Sequence, residues 1–151
     1  MPVHILIVDT DAHAAQATSA VVSRPIAQAA VMVASSYAQA MRRMQEQWPD
    51  ILIIDPSPHS LEGAQLIRHF RDAHSEAIVV VVAGVPTPGL RRSMQELAVN
   101  IYLEKPALLP LLWRELNTLL QENTRLTTAN AVSKDGLQCC LLYTSPSPRD
   151  S

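Results

Sequence analysis

The segment PDILIID, residues 49–55, contains the pattern that decides the fold. Its four aliphatic residues, Ile51 to Ile54, form an unbroken apolar run of the kind found in a strand buried on both faces. Pro49 ends any helix that precedes the run, and an acidic residue, Asp55, follows it. The segment therefore predicts a central strand of a parallel sheet, with a carboxylate where the strand ends.

Four further β-rich runs lie on either side of this segment and alternate with longer amphipathic stretches. The predicted strands are His4–Val8, Ala30–Ala34, Ile51–Ile54, Ile78–Val82 and Asn100–Leu103. The predicted helices are Asp11–Ser23, a helix from a capping box at Ser36 and Gln39 to about Gln47, Leu61–Asp72, Leu90–Ala98 and Leu108 onward, with a loop from Gly84 to Gly89. In the third helix, apolar residues recur at helical spacing at Leu61, Ala64, Ile67 and Phe70. This alternation predicts a doubly wound α/β fold with a five-stranded parallel sheet.

The composition excludes several classes of protein. The chain has 151 residues, of which 48% are hydrophobic and 17% charged, and its net charge is -2. These values are typical of one soluble domain and give no basic footprint for nucleic acid. The longest apolar runs fall far below the roughly 18 residues that a membrane span needs, and the N-terminus has no basic-then-apolar leader. We therefore expect a cytoplasmic protein that binds neither a membrane nor nucleic acid directly.

Three charged side chains follow predicted strands and are expected to meet. Asp9 ends the first strand, Asp55 ends the third, and the fifth runs through Tyr102 into Lys105. Functional residues of an open parallel sheet collect at the carboxyl ends of its strands. Two carboxylates there suit a hard cation such as Mg²⁺, and a carboxylate beside a metal and a lysine can accept a phosphoryl group. The pattern thus indicates phosphoryl chemistry.

These residues also carry a family likeness. The chain resembles the receiver domain of bacterial two-component response regulators over about Pro2 to Leu120. The resemblance rests on ILIVDTD at residues 5–11, PDILIID at residues 49–55, Gly63 eight residues after Asp55, and YLEKP at residues 102–106. It implies the strand order 2-1-3-4-5 and a histidine kinase or phosphotransfer protein as partner. It also implies a phosphoacceptor domain that relays a conformational change to an output module or partner, rather than an enzyme.

The resemblance assigns roles position by position. Asp55 falls on the phosphoacceptor aspartate and Asp9 on the first residue of the acidic pair that holds Mg²⁺. The carbonyl of Ser57 falls on the backbone metal ligand. Lys105 falls on the lysine that contacts the phosphoryl group, and Tyr102 falls on the aromatic switch position.

Two positions depart from the family pattern. Thr10 replaces the second acid of the metal-binding pair, which removes one negative charge, so we expect weakened Mg²⁺ binding unless Asp11 compensates through a water. Val82 replaces the hydroxyl-bearing residue at the end of the fourth strand. A hydrogen bond to a charged group, worth roughly 1.5 to 3 kcal/mol, is lost there, and with it the contact that draws the loop and Tyr102 inward.

Other interpretations of the same residues stay open. Asp9 and Asp11 can serve only as N-caps of the first helix, and Lys105 can be a solvated strand end. A degenerate pseudo-receiver, acting as an interaction module without phosphorylation, is the alternative that Thr10 and Val82 favour. A nucleotide-binding enzyme of Rossmann type is disfavoured, because the first glycine in the chain is Gly63 and no glycine loop follows the first strand.

The C-terminal part is divided by two further patterns. A heptad seam of Leu109, Leu112, Leu116, Leu119, Asn123, Leu126 and Asn130 is typical of a short coiled coil and a homodimer, or of an amphipathic helix that packs on the sheet. The segment CLLYTSPSPRD, residues 140–150, resembles a translated sequencing adapter. We therefore predict a receiver domain over 1–120, a helical linker or coiled-coil start over 121–139, and a non-native tail over 140–151.

Overall fold

The computed structural model describes residues 3–23, 26, 28–57, 60–105 and 109–131. Within these ranges, strands and helices alternate strictly. The strands are β1 (Val3–Val8), β2 (Ala29–Ala34), β3 (Ile51–Ile54), β4 (Ile78–Ala83) and β5 (Ile101–Glu104). The helices are α1 (Ala12–Ser23), α2 (Tyr37–Glu46), α3 (Ser60–Ala73), α4 (Pro88–Glu96) and α5 (Leu109–Ala131). All strand pairs are parallel and the order is β2-β1-β3-β4-β5, which confirms the predicted fold class and strand order.

The chain divides into two compact units, Met1–Trp113 and Arg114–Ser151. In the described part, the first unit holds the sheet, α1 to α4 and the beginning of α5, and the second holds the rest of α5. The side chains after residue 122, which include three of the seven residues of the heptad seam, lie outside the description, as do residues 132–151. The coiled coil, the homodimer and the domain boundaries at residues 120 and 139 therefore stay predictions.

The centre of the sheet is the most deeply buried part of the first unit. Every residue of β3 and of β4 is buried, whereas five of the six residues of the edge strand β2 are partly or well exposed. Valine and isoleucine dominate the two central strands, because β-branched side chains pack well on a sheet covered on both faces. Each buried aliphatic side chain of this size contributes about 1.5–3 kcal/mol. The strand ends that carry the charged residues are thereby held in fixed positions.

Side-chain caps set the beginnings of two helices. At α2 the Ser36 hydroxyl accepts from the Gln39 N–H at 3.1 Å, while the Gln39 side chain accepts from the Ser35 N–H at 2.7 Å. The capping box is therefore present, with its return bond one residue earlier than the usual pattern. At α4 the Thr87 hydroxyl caps the Leu90 N–H at 3.0 Å, and Pro88 occupies the first turn. The predicted loop over Gly84 to Gly89 was wrong in its last two residues, which belong to α4. A threonine cap followed by proline starts the helix there.

The apolar face of α3 also differs from the prediction. Leu61 is 71% exposed, whereas Leu66, Ile67 and Phe70 are buried. The buried face begins at Gly63, which packs against Pro56. Successive helical residues are rotated by about 100°, so Leu61, two positions before Gly63, lies on the opposite side of the helix. Including Leu61 in the core-facing stripe was therefore wrong.

Arg71, near the end of α3, organises the other edge of the sheet. The Arg71 guanidinium donates to the carbonyls of Ser75, Ala77 and Ala98 and to the side-chain oxygen of Asn100. That oxygen also accepts from the Val79 N–H at 2.7 Å. Burial lowers the pKa of Arg71 from its ordinary value. These bonds, which we call the Arg71 cluster, join the end of α3 to the starts of β4 and β5.

Candidate functional site

Backbone hydrogen bonds fix each of the three charged residues where its strand ends. The N–H of Asp9 donates to Ala34 O at 3.1 Å, that of Asp55 to Val8 O at 3.0 Å, and that of Lys105 to Ala83 O at 2.8 Å. The sheet ladder thus continues one residue beyond β1, β3 and β5. The Tyr37 hydroxyl also donates to the Asp55 carbonyl at 2.9 Å. The three side chains consequently start from positions that the sheet itself determines.

The side chains then converge on one ammonium group. Lys105 Nζ lies 2.7 Å from Asp9 Oδ2 and 3.0 Å from Asp55 Oδ2. The two carboxylate side chains are only 7% and 6% exposed, and the lysine side chain is 22% exposed. Charges this poorly solvated are stable only when paired and hydrogen-bonded. The structure therefore brings together the three residues that sequence spacing placed at one edge.

Asp55 receives further donors that the sequence did not reveal. Its Oδ1 accepts from the Ser57 N–H at 2.9 Å and from the Ser57 hydroxyl at 2.6 Å, and the Gly84 N–H lies 3.1 Å from both carboxylate oxygens. A Cβ at residue 84 would lie 2.8 Å from Asp55 Oδ2, so only glycine allows this approach. A glycine directly after a buried strand was the available signal, because such a residue often marks a close contact of the backbone.

These contacts control the ionisation of the site. Burial alone would raise the pKa of Asp55, but hydrogen bonds from the Ser57 side chain and N–H, from Lys105 and from Gly84 outweigh it, so the pKa is lowered. Burial would lower the pKa of Lys105, but the bonds to Asp9 and Asp55 outweigh it, so that pKa is raised. The pair is therefore ionised at neutral pH.

The two shifts predict how stability depends on pH. The ionised Asp55 stabilises the folded state above its ordinary pKa of 3.8, and this contribution is lost as the pH falls through its lower folded-state pKa. The charged Lys105 stabilises below 10.5, and that contribution is lost as the pH rises through its higher folded-state pKa. Urea unfolding of the wild type and of Asp55→Asn from pH 7 to about pH 2 should show the wild type losing stability relative to the variant. If the wild type instead gained stability relative to Asp55→Asn on acidification, the lowered pKa of Asp55 would be contradicted.

The two neighbours of the first acidic residue have separate roles. Asp11 Oδ1 accepts from the N–H groups of His13 and Ala14 at 3.0 and 3.3 Å, so the capping interpretation applies to this residue. Asp9 instead binds Lys105, and its other oxygen accepts from the Asp11 N–H at 2.9 Å. Thr10 is exposed. The structure thus separates one residue that caps a helix from one that belongs to the charged site.

The two predicted switch positions lie on the neighbouring strands. Val82 is buried in β4, and its side chain is aliphatic. Tyr102 in β5 packs against the core, and the Arg91 guanidinium lies 5.7 Å from the centre of its ring. Arg91 is also paired with Glu104. Burial raises the pKa of the Tyr102 phenol, which is therefore protonated at neutral pH.

Two carboxylates of the site are available to a Mg²⁺ ion. Within the described ranges no group of three or more His, Cys, Asp or Glu side chains is placed to hold a metal ion. Asp9 and Asp55 nevertheless direct one oxygen each toward the same point, now occupied by the ammonium group. Since Mg²⁺ is usually bound through one or two carboxylates, with waters and phosphate completing its shell, these two residues fit a weakly held ion.

The fold and the charged pocket define an α/β domain with an acidic site at the carboxyl edge of its sheet. A family model for the response regulator receiver domain matches residues 5–117, so the chain belongs to that family. It is a receiver domain of two-component signalling. No curated protein matches the chain.

Solved structures agree with this fold. One similar structure is a response regulator from Thermotoga maritima, with 17% identity, a TM-score of 0.70, and coverage of 80% of this chain and 99% of that one. A CheY-like receiver domain protein from Methanospirillum hungatei JF-1 has 17% identity and a TM-score of 0.72. The match covers 83% of this chain and 98% of that one. The receiver domain of a DNA-binding response regulator from Colwellia psychrerythraea 34H has 19% identity and a TM-score of 0.71. The match covers 79% of this chain and 98% of that one. At these identities the likeness concerns the fold alone. None of the helices in the described part is both long enough and apolar enough to cross a membrane.

Proposed function

We propose that Asp55 accepts a phosphoryl group from a histidine kinase or phosphotransfer protein, and that the domain relays this event to an output module or partner. The observation that carries the proposal is the ionised, buried Asp55 carboxylate, which shares one ammonium group with Asp9. A buried carboxylate kept charged is available as a nucleophile. The domain is proposed as a cytoplasmic phosphoacceptor, at most catalysing its own phosphorylation and dephosphorylation.

The contacts around Asp55 suit phosphoryl transfer. One carboxylate oxygen forms a bond to phosphorus while the bond between phosphorus and the donor nitrogen breaks, and the donor imidazole leaves with that electron pair. Lys105 then stands beside the new negative charge on the phosphoryl oxygens, and the Gly84 N–H points to the same position. Mg²⁺, held by Asp9, Asp55 and the Ser57 carbonyl, would neutralise charge on the transferred oxygens.

Intact-mass measurement tests this proposal. The full chain, incubated with Mg²⁺ and a small phosphodonor such as acetyl phosphate, should gain one phosphoryl group that hydroxylamine removes. Asp55→Asn should abolish the gain, because an amide oxygen is a poor nucleophile. Asp72→Asn, which changes an exposed carboxylate on α3, should keep it. Absence of a gain in the wild type would overturn the proposal.

Restoring the missing acid should strengthen metal binding. Thr10→Asp places a second carboxylate next to Asp9 at an exposed position, and we expect Mg²⁺ to bind about tenfold more tightly. Calorimetric titration of the unphosphorylated chain measures this change directly. Ser75→Asp adds the same charge at an exposed position before β4, at the other edge of the sheet, and should leave the affinity unchanged. Equal effects of the two substitutions would mean that net charge, not a site, determines binding.

A further inference from the structure

The loop between β4 and α4 is connected to Asp55 by two different routes. The Gly84 N–H bonds to the carboxylate directly, at 3.1 Å from each oxygen. The next N–H, that of Val85, donates instead to the Ser57 hydroxyl at 2.9 Å, and this hydroxyl lies 2.6 Å from Asp55 Oδ1. The second route therefore passes through one side chain.

The direction of the hydrogen bonds at Ser57 is fixed by chemistry. A backbone N–H can only donate, so the Ser57 oxygen accepts from Val85, and an ionised carboxylate can only accept, so the Ser57 proton points to Asp55. Successive bonds of this kind polarise and strengthen one another. A change in the charge of Asp55 therefore changes the strength of the hydrogen bond that the Val85 N–H donates to Ser57.

We propose that Ser57 is a positioning residue that couples the chemical state of Asp55 to Val85 of the β4–α4 loop, in addition to the direct contact of Gly84. This inference rests on the proposed function. Neither Val82 nor Ala83, the last two residues of β4, has a hydroxyl with which to make such a link. Ser57, which follows Asp55 by two residues after the end of β3, supplies a hydroxyl instead.

Phosphorylation changes what the Ser57 hydroxyl can bond to. When a carboxylate oxygen becomes bonded to phosphorus, the carboxylate loses its charge and accepts more weakly, while the phosphoryl oxygens become the stronger acceptors. The Ser57 proton follows the stronger acceptor, and the Val85 N–H follows the Ser57 oxygen. Val85 is 66% exposed and lines a groove between α3 and α4 together with Leu61 and Leu97, so its displacement alters an accessible surface.

Amide NMR of the full chain tests the coupling. Ser57→Ala should raise the hydrogen-exchange rate of the Val85 N–H about fivefold to tenfold, as expected for one lost hydrogen bond, and leave Gly84 unchanged. Acetyl phosphate with Mg²⁺ should shift the Val85 amide resonance in the wild type and in Ser57→Thr, which keeps the hydroxyl. In the fraction of Ser57→Ala that intact mass shows to be phosphorylated, the shift at Val85 should disappear while the shift at Gly84 remains. A Val85 shift that survives in Ser57→Ala would overturn the proposal.

A second measurement works without phosphorylation and separates the two proposals. Asp55→Ala should speed Val85 exchange when Ser57 is present and have no added effect in Ser57→Ala. Ser93→Ala, which removes another hydroxyl that lines the groove, should change neither rate. Equal effects of Asp55→Ala in both backgrounds would refute the coupling. A missing mass gain in the wild type, by contrast, would refute only the phosphoacceptor role.

Discussion

Lys105→Ala is expected to lower the free energy of unfolding by about 3 kcal/mol, because removing one member of a buried ion pair leaves uncompensated charge. Two carboxylates are affected, since Lys105 is the shared partner of Asp9 and Asp55, and both are almost fully buried. The two carboxylates would then repel each other with no cation between them. Urea denaturation at neutral pH measures the loss.

The matched control for this prediction removes the charges before removing the lysine. In a background of Asp9→Asn and Asp55→Asn, Lys105→Ala should cost under about 1 kcal/mol, because no anion is left unpaired. If the cost were the same in both backgrounds, the lysine would stabilise the fold by packing alone. The difference between the two backgrounds therefore isolates the electrostatic contribution.

Gly63→Ala is the second substitution with a large expected effect. A Cβ at residue 63 would lie 2.5 Å from Pro56 Cβ and 2.9 Å from Pro56 Cα, so α3 or the segment after Asp55 must shift. Such overpacking costs about 1–3 kcal/mol. Because Pro56 directly follows Asp55, the rate of phosphorylation by acetyl phosphate should also fall.

Gly89→Ala provides the comparison. Gly89 lies in the first turn of α4, and an added Cβ would meet only Thr87 Oγ1, at 4.0 Å. There alanine should stabilise the chain by about 0.4–1 kcal/mol through the lower entropy of the unfolded state. Thermal unfolding of both variants compares the two sites, and a Gly63→Ala protein as stable as Gly89→Ala would show that the contact with Pro56 is easily relieved.

The sequence was sufficient for the sheet and for the charged centre of the site. β3 matches its predicted range, because an all-aliphatic run bounded by Pro49 and Asp55 has no plausible helical face. The meeting of Asp9, Asp55 and Lys105 followed from the rule that parallel strands end at one edge. Both predictions depend on pattern alone, which a single sequence shows.

Features that depend on three-dimensional packing were not accessible in the same way. The exposure of Leu61 depends on which side of α3 contacts Pro56, and residue spacing does not fix that choice. The role of the Ser57 side chain depends on the 2.6 Å hydrogen bond from its hydroxyl to Asp55 Oδ1. The presence of a serine does not predict this bond, because serine in a loop commonly bonds to water or to local backbone. The metal, switch and phosphoacceptor roles carried over from the family stay predictions until they are measured.

The Arg71 cluster restrains the backbone at one edge of the sheet, the edge opposite Asp55. At the edge far from Asp55, one guanidinium ties α3 to the residues that precede β4 and β5, and a lysine could not replace its fork of donors. If Asp55 is phosphorylated as proposed, we expect the loops near that residue to rearrange more than the residues that Arg71 binds. An arginine remote from the chemistry would in this way set the direction in which the domain can respond.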